Sequence, residues 1–75
     1  MSATYTITAG DNSTDLGIVG TADSLKTAQQ IGREAVASSL PQGHGTYKVR
    51  DAQGREAACE ERSTRTAGEW VSLDV

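Results

Sequence analysis

Apolar and polar positions along this 75-residue chain change period twice, and the changes mark out its elements. In ATYTITA, Tyr5, Ile7 and Ala9 alternate with Thr4, Thr6 and Thr8, the period-2 pattern of a strand with one buried face. GDNST reads as a turn, because Asp and Asn bond their own backbone and tolerate left-handed geometry. DLGIVGT then pairs back as a second strand, in which Gly17 and Gly20 predict a bulge or a sheet edge. From Asp23 the period lengthens: Leu25, Ala28, Ile31, Gly32, Ala35, Val36 and Leu40 recur at spacings of three and four. That stripe predicts one amphipathic helix from Asp23 to Leu40, with Lys26, Gln29, Gln30, Arg33 and Glu34 largely outside it. Thr21 or Asp23 is the expected N-cap. Ser38, Ser39 and Pro41 end the helix, since proline lacks a backbone N–H and disfavours helical geometry in the residue before it.

After QGHG the period returns to two. Tyr47 and Val49 alternate with Thr46, Lys48 and Arg50, DAQG makes a turn, and Ala57 and Cys59 alternate with Glu56, Ala58, Glu60 and Arg62. The expectation is a hairpin with Tyr47, Val49, Ala57 and Cys59 on its buried face and Lys48 and Arg50 near Glu56 and Glu60 on its charged face. STRTAG is a loop and EWVSLDV a closing strand. A chain this short supports a single core. The pattern therefore predicts one α+β domain over residues 1–75, an antiparallel sheet of four or five strands with one helix packed on one face.

Composition narrows the function classes. With no Phe, one Trp, two Tyr and one Met, the core rests on Leu, Ile, Val and Ala, with Trp70, Tyr5 and Tyr47 as its large pieces. Such a core leaves little room for a small-molecule site, which usually takes roughly 300 Å³ or more. The reading is non-enzymatic, with no small-molecule substrate. Cys59 is the lone cysteine and forms no intramolecular disulfide. The N-terminus has no secretory pattern, and no apolar run reaches the ~20 residues of a membrane span, so a reducing cytosolic setting is expected. A net charge of −3 disfavours non-specific attraction to nucleic acid or anionic lipid. Charge is unevenly placed: Asp11, Asp15 and Asp23 all precede the first cation, Lys26.

Candidate chemistry is thin. A dyad of His44 and Cys59 would have to join a loop tip to a mid-strand thiol, and Cys59 is more simply a small buried hydrophobe. DNSTD lacks the glycine and distal glutamate of a calcium loop, so no metal site is expected. Glu60 and Glu61 are adjacent on a strand, point to opposite faces and cannot pair as acid and base. GIVG and GHG lack the context of a phosphate loop, so no cofactor is expected. Lys48 and Arg50 make a basic strand face without an interleaved aromatic platform. Trp70 either closes the core or anchors an interface, where Trp is enriched among energetic hot spots.

The order TADSLKTAQQIGREA, HGTYKVRDAQGREAACEER and a closing EWVSLDV resembles, over residues 18–75, the small phage-encoded anti-CRISPR proteins that bind type I Cascade complexes. Several of these share an N-terminal strand or hairpin, one helix, a strand-turn-strand and a terminal Trp-bearing strand. The resemblance implies a non-enzymatic inhibitor acting in the host bacterial cytoplasm. Its implied partner is a type I CRISPR-Cas surveillance complex, whose access to target DNA it would obstruct. Members most similar in layout carry a basic pair early in the helix, where this chain has Gln29 and Gln30. Two docking faces remain. Asp11, Asp15 and Asp23 could meet cations that otherwise hold DNA phosphates, or the hairpin could dock through Lys48, Arg50 and Arg55, with Trp70 as an apolar anchor. The alternative class is a small nucleic-acid-binding accessory protein using Lys48, Arg50, Arg55 and Arg62.

Overall fold

The period-2 segments form one antiparallel sheet, and the period-3.6 segment lies across one of its faces. The computed structural model describes residues 4–73. It contains β1 (Tyr5–Gly10), β2 (Asp15–Ala22), α1 (Leu25–Ser39), β3 (Gly45–Arg50), β4 (Glu56–Arg62) and β5 (Val71–Ser72). The strands are ordered β2-β1-β3-β4-β5, with every neighbouring pair antiparallel. This is the α+β architecture the pattern predicts. β5 is shorter than EWVSLDV suggested, and Asp74 and Val75 lie outside the described residues.

Turn chemistry sets the two hairpins. Asp11 accepts backbone N–H bonds from Ser13 at 2.8 Å and Thr14 at 2.6 Å, closing the first. Asp51 accepts from Gln53 and Arg55, both at 3.0 Å, and closes the second. The helix begins later than its stripe: Ser24, not Thr21 or Asp23, is the N-cap, its Oγ accepting from Thr27 N at 3.3 Å. Leu40 is already extended, and a short 3-10 turn over Pro41–Gly43 leads into β3.

The helix buries Ala28, Gly32 and Val36 against Ile7, Ala9, Tyr47 and Val49, and Leu40 closes the end of this core. Small residues at 28 and 32 let the helix sit close. A Cβ on Gly32 would overlap the Tyr47 ring. Ile31 and Leu25 flank the seam, only partly buried.

Register corrects the second hairpin. Tyr47 lies opposite Glu60 and Val49 opposite Ala58, whereas Arg50 lies opposite Glu56, so Ala57 is an extra, bulged residue. A one-residue offset turns every later side chain over. From Ala58 onward, Ala58, Glu60 and Arg62 face the helix, while Cys59 and Glu61 face away. Ala57 packs against the helix-side core as expected, but Cys59 is turned to the other face, and Glu60 is not beside Lys48 or Arg50. Similar shifts in β2 leave Leu16 and Val19 as bulged residues on an edge strand, as Gly17 and Gly20 predicted.

Candidate functional site

Helix α1 covers one face of the sheet and leaves the other open. Pairing across the strands resolves the open face into rows. The central row runs Ile18, Thr8, Lys48, Cys59 and ends beside Leu73, whose N–H donates to the Cys59 carbonyl at 2.8 Å. One neighbouring row is Thr21, Thr6, Arg50, Glu56, and the other is Asp15, Gly10, Thr46, Glu61, Val71. Ile18, Val71 and Leu73, the exposed large apolar residues of the described chain, all belong to these rows and sit at the two edges. Between them lie threonine methyls and the Lys48 stem, with charges of both signs around.

The structure gathers some of the sequence-predicted residues here and scatters others. Lys48 and Arg50 stand side by side on the open face. Lys48 Nζ lies 3.6 Å from Glu56 Oε1, and Arg50 makes no salt bridge among the described residues. Asp11 and Asp15 share with Thr8, Thr46 and Lys48 an open groove of about 320 Å³ at the β1–β2 end of this face. Each of these two aspartates also caps local backbone, Asp15 accepting from Gly17 N at 2.9 Å. Asp23 is elsewhere: the eight residues of β2 place it about 25 Å from the Asp11 turn at ~3.3 Å per residue. Arg55 sits in the second turn, paired with Asp51 at 3.3 Å. Arg62 points to the helix side, its Nε buried without a partner among the described residues.

Trp70 is on the covered side. Its ring packs edge-on to Tyr47, with centroids 5.6 Å apart, and the Arg33 guanidinium lies 5.7 Å from its centroid. Beneath them Glu60 is buried, held by Arg33 in a two-pronged pair, Nε to Oε1 at 3.0 Å and Nη2 to Oε2 at 2.9 Å. The Tyr47 hydroxyl also donates to Glu60 Oε1. Hydrogen bonding to Arg33 holds the Glu60 carboxyl below the usual carboxylate range, against the opposing effect of burial, with the Tyr47 bond adding to the lowering. Burial first, then the bond to Glu60, pushes the Tyr47 hydroxyl well above the ordinary tyrosine range. Sequence reading missed this cluster, because it needs the Ala57 bulge to turn Glu60 inward. Arg33 and Trp70 also border an open groove of about 430 Å³ with Gln30, Glu34 and Ala37.

Cys59 is almost fully buried even though it faces away from the helix. Burial pushes its thiol pKa up, so the thiolate is scarce at neutral pH. Labelling by a thiol reagent is expected to be slow in the native protein and to reach the free-cysteine rate only in denaturant; equal rates in both would show that the central row opens to solvent. Among the described residues, no group of three or more His, Cys, Asp or Glu converges as metal ligands, and no helix is long and apolar enough to cross a membrane. Comparison of the chain with protein-family models, with curated proteins and with solved structures finds no match.

Proposed function

We propose that the protein is a non-catalytic inhibitor that docks on a Cas subunit of a type I CRISPR-Cas surveillance complex in the host bacterial cytoplasm and keeps target DNA from binding. The observation that carries the docking part is the open sheet face, where an apolar-ended row, Ile18 to Leu73, contains Lys48 and is bordered by Arg50, Glu56, Glu61 and Asp15. Protein interfaces combine apolar contacts with polar and charged groups, and this face offers apolar side chains at its two ends with polar groups between them. Mixed charge then orients the encounter and speeds it. The partner class rests on the resemblance over residues 18–75.

The test is target-DNA binding by purified type I complexes of several subtypes. Stoichiometric inhibition without turnover or added cofactor is expected. Changing Lys48 and Arg50 together to Glu should weaken inhibition about tenfold or more. The melting temperature should hold, because exposed charges contribute little to folding. Asp23→Lys and Arg55→Glu, both off the face, should inhibit like the parent. Full activity of the Lys48/Arg50 double variant would remove the docking face, and failure against every type I complex would remove the partner.

Nucleic-acid binding through Lys48, Arg50, Arg55 and Arg62 is the weaker reading, since these four cations lie on two faces and a turn rather than in one patch. A gel shift with DNA or RNA alone is expected to show no complex below high micromolar concentration. A tight shift that fades steeply with salt would reverse the ranking.

A further inference from the structure

The two edges of the sheet are built differently. β5 is two residues long and offers little for another strand to pair with. β2 is eight residues long, contains no Lys, Arg or Pro, and carries its only charge, Asp15, at its first position. Edge strands present unpaired N–H and C=O groups, and soluble proteins normally blunt them with lysine, proline, short length or bulges. Only bulges are present here, at Leu16 and Val19. Near the middle of the strand stands Ile18, 69% exposed and the most exposed large apolar side chain among the described residues.

We infer that β2 pairs antiparallel with β2 of a second copy across a two-fold axis, joining two five-stranded sheets into one. The strand itself argues for that occupant. A two-fold contact requires a strand that complements its own reverse. With Ile18 on the axis, the bulges at Leu16 and Val19 interrupt one-for-one pairing, but Asp15 still lies toward the uncharged Gly20–Ala22 end of the second copy's strand. Asp15 is the one charge of the strand, so no like charges face each other across the axis. The two Ile18 side chains meet on the open face, so each covers the other. Pairing through a single edge strand lies at the small end of specific interfaces, so association in the micromolar range is expected. Each copy carries −3, and screening of that repulsion should strengthen the dimer as salt rises. A charge-steered contact with a Cas subunit responds to salt in the opposite sense, and the dimer does not depend on that partner.

Sedimentation of the full chain from low micromolar to near-millimolar concentration tests it. The mass should climb from 7.9 kDa toward twice that value, and more readily in high salt. Amide exchange in Ile18–Ala22 should slow over the same range. Ile18→Lys, which places two lysines face to face at the axis, should keep the monomer at every concentration with an unchanged melting temperature. Leu73→Lys, at the far edge, should dimerise like the parent. A parent that stays monomeric throughout overturns the inference. So does an Ile18→Lys protein that dimerises normally, or a loss of dimer with Leu73→Lys alone.

Discussion

Replacing Arg33 by Met is expected to lower stability at neutral pH and to reverse the response to mild acid. In the parent, Arg33 gives the buried Glu60 carboxylate two hydrogen bonds and a countercharge, and Tyr47 adds a third bond. Methionine keeps the length of the stem against Trp70 but strands the charge. Breaking a buried pair from one side costs about 3–5 kcal/mol. The Arg33 side chain is 46% exposed, so water partly replaces it, and about 2–3 kcal/mol is the expected loss. The pH dependence identifies the cause. In the parent the folded-state pKa of Glu60 is depressed, so its stabilisation is present above the unfolded carboxylate value of ~4.3 and is lost as pH falls through the depressed one. In the variant burial dominates and the folded pKa rises above the unfolded value. Its penalty is then full at neutral pH and is relieved as acid protonates the group. Urea unfolding at neutral pH and near pH ~5 should show the variant recovering stability while the parent holds level. Parallel curves for the two proteins would mean that Glu60 is not sealed beneath Arg33 and Trp70.

Gly32→Ala is the second large effect, and its direction opposes intuition about helices. In an exposed helix interior the change gains about 1 kcal/mol. Here the new methyl would run into the Tyr47 ring, which is fully buried, tied through its hydroxyl to Glu60 and packed edge-on to Trp70. The ring has nowhere to go, so the helix must lift from the sheet. Overpacking of this kind costs about 1–3 kcal/mol, with the upper half expected at so constrained a ring. For a domain of this size that is a fall of roughly 10 °C in melting temperature. Ser38→Ala, on the exposed side of the last turn, serves as the control and should be neutral or slightly stabilising. A Gly32→Ala protein that melts at or above the parent would show that α1 is not seated on Tyr47.

The sequence by itself determined the elements of this protein. The Tyr5, Ile7, Ala9 alternation, the stripe from Leu25 to Leu40 and the turns at Asp11 and Asp51 each depend on residues a few positions apart, which is why period and turn chemistry expose them. Even the edge character of β2 was legible, through Gly17 and Gly20. What only the tertiary structure decided is which side chains meet. Strand order places β1 between β2 and β3, so Asp11 and Asp15 come beside Lys48 while Asp23 is carried to the opposite end of β2. The Ala57 bulge exchanges the two faces of β4, taking Glu60 from the expected company of Lys48 to Arg33 and Tyr47, and Cys59 from the helix side to the open one. Trp70, free in the sequence to be core or anchor, rests on that buried cluster because β5 pairs with β4 at Glu60 and Glu61. Such outcomes turn on a single residue of register between segments far apart in the chain. A local alternation of apolar and polar positions reads equally well in either register until the partner strand selects one.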